Sequence, residues 1–314
     1  MSLPSVITAV ALNPAIDRTL RVPGFAAGST NRVTEARLDP GGKGVNVARV
    51  LKALRAPVEV VGFLGEANGR LITAHLEQLG VPNRFITVEG QNRVNLKLVD
   101  PITGELTEVN DLGFTVQPLH VEWMTALVRQ ALSRTRLLVL AGSLPPGIPA
   151  TYYRELVELA RQARVPVILD ADGEPMRAAL GARPTLIKPN QDEAERLLGR
   201  SLSTRREICA GARALLALGP EMAVISCGAE GAVIAAPGGT WWANPPTIEP
   251  GSTVGAGDSM VAALALALSR GLAPVDALRL ATAAGAATAS LPGTQLASQA
   301  DVDRLLAGVT TEEV

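Results

Sequence analysis

The segment VITAVAL, residues 6–12, is a short apolar run rich in β-branched residues. Such a run is typical of a strand that is buried on both faces of a sheet. Similar runs recur along the chain, and we predict a buried strand at each of them: Val58–Phe63, Leu137–Ala141, Val165–Asp170, Thr185–Ile187 and Met222–Ser226.

Helical patterns separate these strands. Strands that alternate with helices of this length form βαβ units, in which a mainly parallel sheet is covered by helices on both faces. We therefore predict an α/β fold. The predicted helices are Gly44–Leu54, Ala67–Leu79, Leu119–Ser133, Pro149–Gln162, Gln191–Leu198, Arg205–Leu218, Ala256–Ser269, Pro274–Ser290 and Gln299–Ala307.

Two early segments interrupt the alternation. Asp17–Asp39 is polar and extended, and Gln91–Asn110 is typical of a hairpin that turns at Asp-Pro-Ile-Thr-Gly. We expect them to form a small β lid, from about residues 15–40 and 90–112, over the top of the sheet. Because no linker divides the chain, we expect one domain over residues 1–314.

Composition excludes several classes of protein. The 314 residues carry a net charge of −1, which gives no basic surface for nucleic acid or an anionic membrane. The most apolar segment, Met260–Leu268, is far shorter than the ~20 residues that span a bilayer. Cys209 and Cys227 form no disulfide framework and have no metal-ligand spacing. We expect a cytoplasmic protein.

The motif STVGAGDS, residues 252–259, precedes an apolar helical pattern. A helix that opens with Gly255, Ala256 and Gly257 leaves backbone N–H groups without side-chain cover, and the positive end of the helix dipole favours an anion there. Asp258 lies in the first turn and can accept a proton at the same place. Alternatively, the glycines form only a tight turn.

The motif PGGKGVNVA, residues 40–48, also begins a helix. It is not a Walker A loop, because no Ser or Thr follows Gly42 and Lys43. Lys43 and Asn46 are three residues apart and share a helix face. A cation and an amide on a glycine-rich turn suit a phosphorylated sugar, and the alternative is a flexible loop with a solvated lysine.

The motif RVNLKL, residues 93–98, lies in the predicted hairpin. The period-2 alternation places Arg93, Asn95 and Lys97 on one face of a strand. Two cations that flank an amide can hold a phosphate and a hydroxyl, whereas a solvated outer face is the commoner explanation of such a pattern.

Three further motifs follow core strands. In KPNQDE, residues 188–193, Asn190 and Glu193 have the spacing of a capping box. SCGAEG, residues 226–231, either wraps the phosphates of a nucleotide or forms only a hairpin. AGSLPPG, residues 141–147, ends a core strand, where an open parallel sheet binds its ligands. A dinucleotide-binding enzyme would need G-x-G-x-x-G after the first strand, but Asn13-Pro14-Ala15 stands there.

The order of these motifs is more specific than any one of them. NPAIDRT, GGKGVNVA, RVNLKL, GSLPPG, KPNQDE, SCGAEG and STVGAGDSM together resemble the PfkB carbohydrate kinases over about residues 5–308. The resemblance implies a three-layer αβα ribokinase-like fold with a small β lid. The RVNLKL, EVNDLGF and WWANPP segments are similar to those of the family branch that phosphorylates fructose 1-phosphate. Kinases of tagatose 6-phosphate or fructose 6-phosphate share most of the motifs and are the alternative branches.

The resemblance also implies a role for each matching residue. Asp258 would be the catalytic base, and it would be ionised at neutral pH if its pKa has the ordinary value near ~4. The amides of Gly255, Ala256 and Gly257 would form the anion hole. The remaining residues would bind the sugar hydroxyls (Asp17, Gly42, Asn46, Asn95), the sugar phosphate (Lys43, Arg93, Lys97, Ser143) and the nucleotide (Lys188, Asn190, Ser226, Gly228, Gly231).

The partners and cofactors are implied in the same way. ATP would be the co-substrate, and Glu193 would act through Mg²⁺ and its waters. Since lids of the family pair with one another, we expect a homodimer formed lid against lid. Ribokinase has an aspartate six positions before its catalytic aspartate, and Ser252 stands at that position here, so potassium activation of that type is not expected.

Overall fold

The computed structural model describes residues 6–314, in which the chain forms a large sheet, a small sheet and two layers of helices. The strands are β1 Val6–Ala11, β2 Ala15–Arg21, β3 Glu35–Gly41, β4 Val58–Gly65, β5 Asn83–Val88, β6 Arg93–Val99, β7 Leu106–Val109, β8 Thr135–Ala141, β9 Val167–Asp170, β10 Leu186–Ile187, β11 Met222–Ser226, β12 Ala232–Ala236, β13 Gly239–Asn244 and β14 Thr310–Glu313.

The helices lie on both faces of the large sheet. Helices α1 Lys43–Ala53, α2 Arg70–Gln78, α8 Ala256–Ser269, α9 Pro274–Ala289 and α10 Gln299–Leu306 contribute to the core on one face. Helices α3 Pro118–Leu132, α4 Tyr152–Gln162, α5 Gly173–Leu180, α6 Gln191–Leu198 and α7 Arg205–Leu216 contribute to the core on the other. Within the described residues, no helix is long and apolar enough to cross a membrane.

The large sheet has the order β14-β13-β12-β11-β10-β9-β8-β1-β4-β5. The strands from β11 to β5 pair in parallel, and β12, β13 and β14 continue the sheet in antiparallel pairs. From β1 the chain continues to β4 on one side and later returns to β8 on the other. An open α/β sheet binds its ligands at such a switch point, outside the carboxyl ends of the strands.

The predicted strands and helices are all present, with ends that differ by a few residues, so the predicted α/β sandwich is confirmed. Strands β5, β13 and β14 and helix α5 were not predicted from the sequence. Strand β14 has the sequence TTEE and is mostly exposed, so it lacks the apolar pattern on which the other predictions depended. It is held by backbone pairing with β13 at the sheet edge.

The small sheet, which we call the lid sheet, has the order β3-β2-β6-β7. Its strands come from the two segments that interrupt the alternation. In the register of the sheet, Asp17 is opposite Asp39 on one side and Asn95 on the other, so these three side chains share a face. On the opposite face, the row across the four strands is Leu38, Arg18, Leu96 and Val109, so an exposed arginine stands between Leu38 and the other two apolar residues. The lid sheet thus has a polar face and a mainly apolar face.

Candidate active site

The amino end of α8 is uncapped at the carboxyl edge of the large sheet. Gly255 precedes the helix with a φ of 81°, a left-handed conformation that favours glycine, and no side chain caps the helix. Within residues 6–314, the backbone N–H groups of Gly257 and Asp258 have no hydrogen-bond acceptor. The Lys188 ammonium lies 3.7 Å from the position that a Cβ on Gly257 would occupy. Free N–H groups, the helix dipole and a cation together favour an anion here.

Asp258 is the carboxylate at this helix end. Its side chain is buried, and its Oδ2 accepts a hydrogen bond of 2.8 Å from Nδ2 of Asn46 on α1. Burial raises the pKa of Asp258 to about 6, although Lys43 and the Asn46 hydrogen bond oppose the shift. The expectation of an ordinary pKa near ~4 is therefore wrong. Asp258 is still mostly ionised at neutral pH, and it accepts a proton more readily than an exposed aspartate does.

Asp170, at the end of β9, belongs to the candidate site but was not predicted from the sequence. Its carboxylate is fully buried between two ammonium groups, 3.2 Å from Nζ of Lys43 and 3.6 Å from Nζ of Lys188. Burial alone would raise the pKa of Asp170, but Lys188 and Lys43 outweigh it and hold that pKa below its ordinary value. One buried anion thus connects the GGKG motif with the KPNQDE motif.

Lys43 keeps its charge in this environment. Burial by itself lowers the pKa of Lys43, but the carboxylates of Asp170, Asp258 and Glu193 raise it above the ordinary value. Its side chain is about one-third exposed, whereas that of Asp170 is almost entirely covered. The ammonium therefore stays available to an anion that enters the cleft.

On the polar face of the lid sheet, Asp17 is held by two neighbours. Its Oδ1 accepts a hydrogen bond of 3.1 Å from Asn95, and its Oδ2 lies 3.6 Å from Nζ of Lys97. Lys97 is buried and also lies 3.7 Å from Glu108. Because two carboxylates already compensate its charge, this pairing favours a role for Lys97 in holding Asp17. The role as a phosphate ligand stays a prediction.

Arg93 differs from Lys97 in its partners. No carboxylate within residues 6–314 forms an ion pair with Arg93, and its Nε donates a 3.1 Å hydrogen bond to the backbone oxygen of Asn13. Burial lowers the pKa of Arg93, but a guanidinium stays protonated in proteins. Nδ2 of Asn13 donates in turn to Oγ of Ser143 at 3.2 Å. Arg93 is therefore a half-buried cation that forms no ion pair with any described residue.

The predicted nucleotide residues lie at the ends of β10 and β11. Asn190 and Ser226 pair through an isolated parallel bridge. Gly228 and Gly231 have φ angles of 57° and 117°, and a Cβ on Gly231 would lie 2.2 Å from a backbone oxygen, so this turn depends on glycine there. Asn190 and Glu193 form a complete capping box, as their spacing predicts.

The residues present fit a magnesium ion that a nucleotide brings with it. Such an ion is usually held by one or two carboxylates together with phosphates and water. Glu193 is half-buried, and its Oε2 is fixed by the Asn190 backbone N–H at 2.8 Å. Its carboxylate also helps to raise the pKa of Lys43, which places Glu193 near that lysine. Within residues 6–314, there is no cluster of three or more His, Cys, Asp or Glu residues that could hold a metal without a ligand.

The chain is similar to known proteins over nearly its whole length. Residues 7–301 match the family model described as pfkB family carbohydrate kinase. The 1-phosphofructokinase of Rhodobacter capsulatus is 40% identical over 278 residues, which cover 88% of each protein. The crystal structure of phosphofructokinase-2 from Escherichia coli in complex with potassium has a TM-score of 0.89 and 28% identity, and the match covers 96% of this chain and 98% of that one. The ribokinase of Thermotoga maritima, 24% identical with a TM-score of 0.80, shares the fold over 96% of this chain and 99% of its own.

The raised pKa of Asp258 predicts an acid limit to turnover. A base must be deprotonated to accept a proton, so kcat/KM should be constant at neutral pH and fall about tenfold per pH unit below about pH 6. The Asn46→Ala variant should move this midpoint upward, since it removes a hydrogen bond that stabilises the ionised carboxylate.

The pH profiles of the wild type and of Asn46→Ala check this prediction together. A phosphorylated substrate titrates in the same range, but its pKa does not depend on the variant. A midpoint that is the same in both proteins would mean that the titrating group is on the substrate and not on Asp258.

Proposed function

Because the chain belongs to the pfkB family of carbohydrate kinases, we propose that it transfers the γ-phosphoryl group of ATP to fructose 1-phosphate and forms fructose 1,6-bisphosphate. The resemblance inferred from the motifs is confirmed, as is the sugar-phosphate kinase activity that it implies. The observation that carries the choice of a phosphorylated sugar is Arg93, a half-buried guanidinium without a carboxylate partner in residues 6–314.

In this proposal, the existing phosphate of the sugar binds at Lys43, Arg93 and Ser143. Two of these groups, Lys43 and Ser143, come from neighbouring segments. A Cβ on Gly142 would lie 3.6 Å from Cβ of Lys43, and Ser143 follows Gly142 in the chain. An arginine fork and a compact ammonium suit a phosphate dianion, because charge-assisted hydrogen bonds are about twice as strong as neutral ones. Asp17, Gly42, Asn46 and Asn95 then bind the sugar hydroxyls.

The reacting hydroxyl lies at the other end of the sugar, beside Asp258. Asn46 donates to Asp258 Oδ2 and so orients the carboxylate, which takes the hydroxyl proton as the oxygen attacks the γ-phosphorus in line. The free amides of Gly257 and Asp258, with that of Gly255, stabilise the negative charge on the transferring group, whereas the predicted Ala256 amide already donates to the Thr253 backbone oxygen at 3.2 Å. Lys188, close to Gly257, adds a positive charge at the same point.

ATP lies along Lys188, Asn190, Ser226, Gly228 and Gly231 in this proposal. Glu193 would hold a magnesium ion through water, and the ion would supply positive charge that offsets the charge of the nucleotide phosphates. Closure of the lid sheet over the sugar excludes water, which limits hydrolysis of ATP.

Initial rates with four acceptors test the proposed substrate. Fructose 1-phosphate, tagatose 6-phosphate, fructose 6-phosphate and ribose are each supplied with ATP in an ADP-coupled assay. We expect the highest kcat/KM with fructose 1-phosphate. A higher value with tagatose 6-phosphate or fructose 6-phosphate would replace the proposed substrate, and turnover of ribose alone would contradict a phosphate site in the lid.

The Arg93→Ala variant tests the phosphate site. A charge-assisted contact is worth ~1.5–3 kcal/mol, so we expect KM for the phosphorylated sugar to rise roughly 10–100-fold while KM for ATP hardly changes. The loss should be much smaller with fructose, which lacks the phosphate.

An exposed arginine at the opposite end of β8, Arg136, provides the matched control, and Arg136→Ala should leave both constants unchanged. An equal loss with both sugars would mean that Arg93 supports the lid sheet without binding the phosphate. No loss with either would remove Arg93 from the site.

We further propose that two chains form a dimer through the apolar faces of their lid sheets. On that face, Leu38 and Val109 are 54% and 52% exposed, and Arg18 and Leu96 lie between them in the register. Exposed apolar side chains grouped on one sheet face favour a protein–protein contact, and Arg18 would lie within that contact. Both edges of the lid sheet, β3 and β7, are also open to pairing.

Analytical ultracentrifugation checks this proposal. We expect the wild type at micromolar concentration to sediment with twice the mass of a single chain, and Leu38→Glu to sediment mainly as a monomer. Leu119→Glu, which changes an equally exposed leucine (51%) on α3, should remain dimeric. A wild type that sediments only as single chains would refute the dimer.

A further inference from the structure

We propose that Asn13 is a positioning residue that builds the substrate-phosphate site by fixing both Ser143 and Arg93. The inference rests on the proposed function, because it concerns the same site. Asn13 follows β1 and Ser143 follows β8, and these strands are parallel neighbours. Their loops therefore meet at the switch point of the sheet, where ligands bind.

The Asn13 side chain determines which way the Ser143 hydroxyl points. Nδ2 of Asn13 donates to Oγ of Ser143 at 3.2 Å. A serine hydroxyl has one proton to donate and can accept through its lone pairs. When it accepts from an amide, its own proton is directed elsewhere. Ser143 is exposed to the cleft, so this proton is available to a phosphate oxygen.

The Asn13 backbone determines the orientation of Arg93. The carbonyl oxygen of Asn13 accepts a hydrogen bond of 3.1 Å from Nε of Arg93. Anchoring at Nε leaves the two Nη groups, which form the outer edge of the guanidinium, for a bidentate contact with an anion. Since no described carboxylate forms an ion pair with Arg93, a substrate phosphate is the group that this edge can bind.

The packing around Asn13 favours a role in binding over a role in stability. The side chain is 9% exposed, and its Oδ1 is buried without a hydrogen-bond partner in the described part of the chain, which is unfavourable for folding. Gly113, which has a φ of 82°, lies close to both residues. A Cβ on Gly113 would be 3.1 Å from the backbone nitrogen of Arg93 and 3.3 Å from Oδ1 of Asn13. Asn13 and Arg93 are thus held together by a segment that depends on glycine.

A double-mutant cycle tests whether Asn13 acts through Ser143. Binding of fructose 1-phosphate and of fructose is measured by calorimetry for the wild type, Asn13→Ala, Ser143→Ala and the double variant. We expect each single variant to weaken fructose 1-phosphate binding about tenfold, with little effect on fructose, and the double variant to be no weaker than about twentyfold. Asn83→Ala, which changes an asparagine on β5 at the sheet edge, is the matched control.

Asn13→Asp has a second expected effect. It keeps the shape of the side chain but replaces the amide donor by an anion beside the phosphate site, so we expect a loss of about a hundredfold for fructose 1-phosphate. It also replaces Asn13→Ala in the cycle if the alanine variant does not fold. KM for ATP should stay within about twofold in every variant.

Several results would overturn the inference. Losses that multiply to about a hundredfold in the double variant would show that Asn13 and Ser143 act independently. Equal losses for fructose 1-phosphate and fructose would indicate a purely structural role. If the wild type does not bind fructose 1-phosphate, the proposed substrate fails, and the cycle is repeated with tagatose 6-phosphate. Failure of the wild type to bind either sugar phosphate or inorganic phosphate would refute the phosphate site that Asn13 is proposed to build.

Discussion

The buried carboxylate of Asp170 is the constraint on which the site depends. A charge that is removed from water must be paired, and Asp170 is paired with two ammonium groups that come from distant parts of the chain. Lys43 begins α1 and Lys188 follows β10. The Asp170 carboxylate, at the end of β9, therefore fixes the positions of α1 and β10 relative to each other. Two lysines around one aspartate leave a positive charge, which suits a cleft for phosphates.

The same geometry explains why Asp258, the proposed catalytic base, has an unusual pKa. Asp258 is buried at an uncapped helix end, and burial favours its protonated form, whereas Lys43, Lys188 and the helix end favour the ionised form. The balance leaves a base that is ionised at neutral pH but accepts a proton readily. The lid sheet completes the arrangement, because its polar face carries the groups that would bind the sugar, including Asp17 and Asn95.

Most of the fold and part of the site could be predicted from the sequence. The strands and helices follow from local apolar patterns, and two glycine-rich motifs mark the starts of α1 and α8, because Gly42 and Gly255 there have positive φ angles that favour glycine. Asp170 and Asn13 were missed for a different reason. Asp170 ends an ordinary apolar strand pattern, and Asn13 begins the NPAIDRT motif without a pattern that marks it as part of a site. The contacts of both depend on partners that are distant in the chain, Lys43 and Ser143. The pKa of Asp258 likewise depends on burial, which no local pattern encodes.

The central claim is that Asp258 is the base in a phosphoryl transfer whose substrates are bound by other groups. Turnover and ligand binding by the Asp258→Asn variant test it most directly, since the amide has the same shape but accepts no proton. We expect kcat to fall by at least about a hundredfold, while the affinities for ATP and fructose 1-phosphate stay within about tenfold of the wild-type values. A variant that keeps more than about a tenth of wild-type kcat would contradict the account.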